Sequence, residues 1–209
     1  MLTGDQLCFR YQPGPWVIDH VSIAAHPGQV LGVRGPSGVG KSTLARLLTG
    51  HLSPNHGQVQ LNGAPIPATG RHPVQLIGQH PEFALDPRWR LSRSLDEAGP
   101  RDHNLLDELF VDDDWLSRYP RELSGGELQR LTVARALANQ PTAVVADEVS
   151  AMLDPITQAQ LWQVLLRRVG EGMILVAISH DDALLDAVAD EVVDLEAMQV
   201  PFARGASGG

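Results

Sequence analysis

The chain has 209 residues, 43% of them hydrophobic, and a formal net charge of −9. That is enough apolar material for the core of one ordinary domain, while no apolar run reaches the ~20 residues that span a bilayer. The acidic balance leaves no basic stripe for a nucleic-acid backbone, and the single cysteine, Cys8, cannot close an internal disulfide.

The opening residues, Met1-Leu2-Thr3-Gly4-Asp5, carry neither a basic region nor an apolar stretch, so no signal peptide is expected and the chain reads as cytosolic. Strands are predicted over residues 6–11, 21–25 and 29–33. A glycine-rich segment follows, Gly35-Pro36-Ser37-Gly38-Val39-Gly40-Lys41-Ser42, and then an amphipathic helix over residues 42–48. Strand, glycine loop and helix in that order, with the pattern G-x-x-x-x-G-K-[ST], are the context of a phosphate-binding loop.

The chemistry of that loop follows from backbone electrostatics. Gly35, Gly38 and Gly40 let the chain turn where a side chain would block it. The freed N–H groups point inward, and the helix adds the positive end of its dipole. Lys41 is the only lysine in the sequence; every other fixed cation is an arginine. A compact ammonium on a flexible stem suits the outer phosphates of a nucleotide better than a planar guanidinium. Ser37 and Thr43 extend the same phosphate-binding set, and the Ser42 hydroxyl is placed to ligate Mg2+. The bland alternative is a glycine-rich turn with no ligand.

Further along, strands are predicted over residues 57–61 and 74–77, and a helical stretch over 87–123 bounded by Pro100 and Pro120. A helix to about residue 139 follows Gly126. Then come a buried strand (143–146), a helix (155–168), a strand (173–178), a helix (182–188) and a short strand near Val192. This alternation implies an α/β fold with a largely parallel sheet, antiparallel strands before it and an inserted helical subdomain. The division expected is a nucleotide-binding core (1–86 and 136–200), a helical subdomain (87–135) and a flexible tail (201–209). The eight histidines are not spaced as a metal cluster; His51 and His56 are five apart, wrong for one helical face.

Two more segments carry chemistry. Val144-Val145-Ala146-Asp147-Glu148 is an apolar strand ending in two acids. Asp147 is assigned to Mg2+, through water, and Glu148 to the attacking water. The alternative is a pair of solvated acids at a strand end. Leu123-Ser124-Gly125-Gly126-Glu127 is a second anion-binding helix start, with the Ser124 hydroxyl, bare glycine N–H groups and a helix dipole.

That segment, continued by Gln129-Arg130 and Ala134-Arg135-Ala136-Leu137, resembles the signature of ABC ATPases (ATP-binding cassette proteins). The resemblance covers roughly residues 5–195. It implies a P-loop NTPase that binds ATP with Mg2+. It implies that Tyr11 stacks on adenine, with Trp16 the rival, and that Gln79 links Mg2+ and the water to a membrane partner. It implies that Asp154 belongs to a loop crossing a dimer interface and that His180 contacts the γ-phosphate. Gln79-His80-Pro81 with Leu85-Asp86-Pro87-Arg88, and Met152-Leu153-Asp154, are similar to the ATPase subunits of oligopeptide, dipeptide and nickel importers.

The implied role is an ATPase subunit on the cytoplasmic face of a bacterial or archaeal membrane. Its implied partners are separate permease subunits and a second, identical or homologous ATPase packed head to tail, with Ser124 and Gly126 of one closing the site of the other. Phe83, Leu85 and Trp89 are expected to line a groove for a permease helix, as the resemblance implies; the alternative is that they pack the core of the helical subdomain. Val149, Ala151 and Asp86 depart from the usual proline, serine and asparagine. The importer subfamily continues with further strands and a substrate-class tail beyond the position of Leu195, so the resemblance does not carry a regulatory or cluster-binding extension over to this sequence. Alternatives are a soluble ABC ATPase acting on nucleic acid or ribosomes, a P-loop kinase, and a non-hydrolysing structural partner.

Overall fold

The computed structural model describes residues 1–67 and 72–199; the expected tail lies outside the described residues. The N-terminal half gives β1 (Leu2–Phe9), β2 (Ile18–Ala25), β3 (Val30–Arg34), α1 (Lys41–Leu48), β4 (His56–Leu61), β5 (Ala64–Pro65) and β6 (Val74–Ile77). Four helices follow: α2 (Leu91–Ala98), α3 (His103–Glu108), α4 (Asp113–Leu116) and α5 (Gly125–Leu137). The remainder alternates β7 (Ala143–Asp147), α6 (Pro155–Gly170), β8 (Ile174–Ile178), α7 (Asp182–Val188) and β9 (Glu191–Asp194), and ends in α8 (Leu195–Met198).

Two sheets form. The parallel one runs β6-β7-β8-β3-β9, and the antiparallel one β2-β1-β4-β5. Side chains of the central parallel strands alternate between two cores, as the pleat requires. Leu31, Val33, Val145, Val176 and Ile178 join α1 and the antiparallel sheet in one core. Val30, Val144, Ala146, Leu175 and Ala177 join α5, α6 and the short helices in the other. The parallel sheet is therefore covered on both faces, which explains its unbroken apolar strands.

The first strand differs from its expectation. It begins at Leu2 and stops before Tyr11, whereas the sequence pointed to 6–11. Its pairing shifts register between Asp5 and Cys8, where Gln6 takes a left-handed φ of 46° and its N–H bonds the Ser22 hydroxyl at 3.0 Å. The bulge breaks the two-residue alternation that marks a strand in sequence. The helical stretch 87–123 also breaks up, into α2, α3, α4 and a 3-10 turn at Pro120–Glu122. Aspartates start two of these pieces: Asp102 accepts from the Leu105 N–H and Asp112 from the Asp114 N–H.

All five parallel strands point the same way, so the loops leaving β3, β6, β7 and β8 emerge at one edge. Open α/β sheets carry their ligands at that edge.

Candidate functional site

Those four loops enclose a cleft of about 610 Å³, lined by Ser37, Gly38, Gly40, Lys41, Ser42 and Thr43 from the glycine loop, together with Gln79, Asp147, Glu148 and His180. Val17, from the segment before β2, completes the lining, so five separate chain segments converge. Gly40 has φ 110° and precedes α1; a Cβ there would meet the Val17 carbonyl oxygen at 2.8 Å, so only glycine lets α1 start this close to the Val17 segment. Gly35 turns the chain out of β3 with φ 150°. The Lys41 ammonium donates to the carbonyls of Gly35 (2.7 Å) and Pro36 (3.3 Å), across the loop it belongs to.

Asp147 ends β7 and is 7% exposed. Burial is the largest influence on its carboxyl and pushes the pKa above its ordinary value; the Ser42 hydroxyl draws it back, Glu148 raises it and Lys41 lowers it. Its Oδ1 is buried without a hydrogen-bond partner among the described residues. Such an oxygen is costly unless a cation faces it. The Ser42 hydroxyl, the Asp147 carboxylate and the Gln79 amide oxygen form an all-oxygen set on one cleft, which suits a hard cation such as Mg2+.

Glu148 leaves the strand with φ 53°, a left-handed conformation that costs a non-glycine residue roughly 1–2 kcal/mol. Its N–H still bonds the Ile178 carbonyl at 3.0 Å. The carboxylate is held at both ends: Oε1 lies 2.8 Å from His180 Nδ1, and Oε2 accepts from the buried Ser179 hydroxyl at 3.4 Å. A carboxylate oxygen accepts, so in this contact Nδ1 of the exposed His180 ring is the donor.

Ser124, Gly126 and Asp154 do not line this cleft. Ser124 caps α5 in a reciprocal box. The Glu127 carboxylate accepts from the Ser124 N–H and hydroxyl, both at 2.7 Å, and the Glu127 N–H returns to Ser124 Oγ at 3.3 Å. These bonds, the backbone one first, hold the Glu127 carboxyl below its ordinary pKa. The serine hydroxyl is thus engaged by Glu127, a residue that the sequence reading gave no role although Ser-x-x-Glu is its signal. A Cβ on Gly126 would meet Leu153 Cδ2 at 3.3 Å, so the start of α5 lies against the loop before Asp154. Asp154 caps α6, accepting from the Ile156 and Thr157 N–H groups and the Thr157 hydroxyl. Beside it Met152 and Ile156 are exposed.

Tyr11 also lies outside the cleft lining. Its hydroxyl is 3.4 Å from Thr43 Oγ1, its ring packs edge-on against Phe9 (4.9 Å), and it is 47% exposed. Trp16 is more occupied: the Arg10 guanidinium lies 4.8 Å from its ring and His56 packs at 5.9 Å. The expected groove of Phe83, Leu85 and Trp89 is corrected by burial. Phe83 is 84% exposed, Leu85 is core, and Trp89 is half-buried under Arg93, 3.9 Å from its ring. Asp86 grips Arg88 at 3.0 and 2.9 Å, which lowers its pKa to about 2.

A further grouping was not legible in the sequence: Cys8, Asp19 and His20 come within 4.8 Å of one another on the antiparallel sheet. No helix among the described residues is long and apolar enough to cross a membrane.

Residues 18–151 match the family described as ABC transporter. The chain is 36% identical to the methionine import ATP-binding protein MetN of Corynebacterium diphtheriae, over 88% of this chain and 58% of the relative. It is 39% identical to the nickel import ATP-binding protein NikE of Pseudomonas putida, over 85% of this chain and 72% of the relative. The chain therefore spans less than two thirds of the methionine relative. Its fold is that of the ATP-binding cassette MJ0796, solved as a dimer bound to ADP and Pi: TM-score 0.84, 22% identity, 96% of this chain and 97% of that one.

Proposed function

The chain belongs to the ABC transporter family, and on that premise we propose that it binds and hydrolyses ATP to power an importer. The observation that carries this reading is the convergence of Lys41, Ser42, Gln79, Asp147, Glu148 and His180 on one cleft. The glycine-loop N–H groups and Lys41 bind the phosphates. Ser42, Asp147 and Gln79 hold Mg2+, which when bound neutralises charge on the phosphate oxygens. Glu148 orients a water and takes its proton as the water oxygen bonds to the γ-phosphorus. The bond from that phosphorus to the bridging oxygen breaks, giving ADP and phosphate. His180 fixes the Glu148 carboxylate through Nδ1 and, as a residue of the cleft lining, supplies the contact to the γ-phosphate.

The same reading assigns residues 1–86 and 136–200 to the nucleotide core and 87–135 to a helical subdomain. Ser124, Gly126 and Asp154 lie off the cleft of their own chain and act on that of a second ATPase subunit packed head to tail. The subunit sits at the cytoplasmic face of a membrane, docked on permease subunits, and no nucleic acid takes part. For the transported solute we favour peptides or a metal chelate such as nickel. The segments after Gln79 and Glu148 support this, as does the likeness to the nickel relative. Methionine is the competing class, supported by the other relative.

The test is phosphate release with Mg-ATP, read beside amine-selective labelling of Lys41. The expected result is turnover, with Lys41 shielded by Mg-ATP. Equal labelling with and without nucleotide would remove the nucleotide site as assigned.

Tyr11→Ala is expected to raise the Michaelis constant while leaving turnover at saturating ATP in place. Base–aromatic stacking is worth roughly 1–3 kcal/mol. Trp16→Ala should change little, because Arg10 and His56 already pack on that ring. The reverse pattern would move the stacking role to Trp16.

Phe83→Glu should release the subunit from permease-containing vesicles with its melting temperature and ATP binding intact. The side chain is 84% exposed, so a charge there costs the fold little. A central apolar anchor at an interface is worth about 2 kcal/mol or more. A folded variant that co-sediments like the parent would sink Phe83 as the anchor.

A further inference from the structure

Gln129 lies in the second turn of α5, five residues past Ser124, and is 3% exposed. Its Nε2 donates to the carbonyl oxygen of Gly78 at 3.3 Å, across 51 residues of sequence. Gly78 follows β6, an edge strand that among the described residues pairs only with β7, so its carbonyl has left the ladder and needs another donor. A Cβ on Gly78 would meet nothing within 4 Å among the described residues, so their packing does not fix this backbone. The next residue is Gln79, exposed at the mouth of the cleft. A buried amide on the helix that begins at Ser124 therefore holds the peptide that carries Gln79.

We propose that Gln129 is a positioning residue for Gln79, tying the helix that starts at the signature segment to the cation position of the cleft. The inference rests on the reading of the cleft as a Mg-ATP site. A displacement of α5 would draw on the Gly78 carbonyl and swing the Gln79 amide toward or away from Asp147. Gln129 does not touch the nucleotide, so it acts on where Gln79 sits and not on how tightly the phosphates bind.

The full chain is tested as the variants Gln129→Met and Gln129→Leu, which put an apolar side chain of similar bulk in the buried position and delete the donor. Three quantities are read: the Mg2+ midpoint for phosphate release, the melting increment on adding Mg2+ to ATP-saturated protein, and amide exchange of residues 78–80. The expected result is a midpoint raised about 10-fold, as for other outer partners of metal ligands. The Mg2+ increment should shrink and exchange at 78–80 should speed up, while affinity for ATP without Mg2+ stays within about twofold. In a Gln79→Ala background, Gln129→Met should add nothing to the midpoint, because the effect runs through Gln79. A lowered melting temperature with an unchanged Mg2+ midpoint would overturn the inference and leave Gln129 a packing residue. So would an equal effect with Gln79 absent. If the unmodified chain shows no Mg2+-dependent response to ATP, the nucleotide reading itself fails and takes the inference with it.

Discussion

Glu148→Gln is expected to bind ATP like the parent chain and to hydrolyse it about 100- to 10,000-fold more slowly, the usual worth of a general base. The substitution isolates that function because it changes so little else. Glutamine has the same length and meets the same backbone demand at φ 53°. The side chain is confined between His180 Nδ1 at 2.8 Å and the Ser179 hydroxyl at 3.4 Å, and an amide oxygen can accept from either. Lys41 and the glycine loop lie on another segment and keep their geometry. What disappears is the capacity to take a proton from water. With hydrolysis blocked and binding intact, ATP should hold two copies together, raising the mass seen by light scattering. Single-turnover phosphate release gives the rate. Unimpaired release would mean that a different group activates the water.

Gly57→Ala should destabilise the fold by on the order of 3 kcal/mol, although Gly57 is remote from the cleft. Gly57 is the second residue of β4, with φ 83°, opposite the bulge of β1. A Cβ there would stand 2.4 Å from the carbonyl oxygens of both Asp5 and Gln6. These are backbone atoms held in the β1–β4 ladder, so relief requires that the pairing open. Gly63→Ala is the control. Its φ is 78°, equally left-handed, but nothing among the described residues lies within 4 Å of the added carbon. It should cost only the conformational penalty, roughly 1–2 kcal/mol. Urea denaturation midpoints separate the two effects. Equal shifts for both variants would show that backbone conformation alone sets the cost at Gly57.

Much of the fold could be read in sequence because its signals are local. β6 and α7 form over the residues expected, 74–77 and 182–188. Strands buried on both faces show as short apolar runs, and aspartates announce the helices they cap. The start of β1 was hidden because its bulge depends on Gly57, a residue far along the chain. The breakup of the 87–123 stretch was hidden because helical spacing of apolar residues does not reveal where a chain must turn to cover the sheet.

The phosphate loop, the paired acids at the end of β7 and the signature segment were legible for one physical reason. Each is a contiguous stretch whose backbone turn and chemistry sit in the same few residues. Sequence by itself thus determined the kind of protein this is and the groups available to it. Tertiary structure decided what those groups do to one another. It put His180 against Glu148 and left Oδ1 of Asp147 buried without a hydrogen-bond partner among the described residues. It gave the Ser124 hydroxyl to Glu127 and the Gly78 carbonyl to Gln129. It also divided Phe83, Leu85 and Trp89 among solvent, core and an arginine. Burial and hydrogen bonding between distant segments depend on how the sheet edge gathers its loops, and no local pattern encodes that.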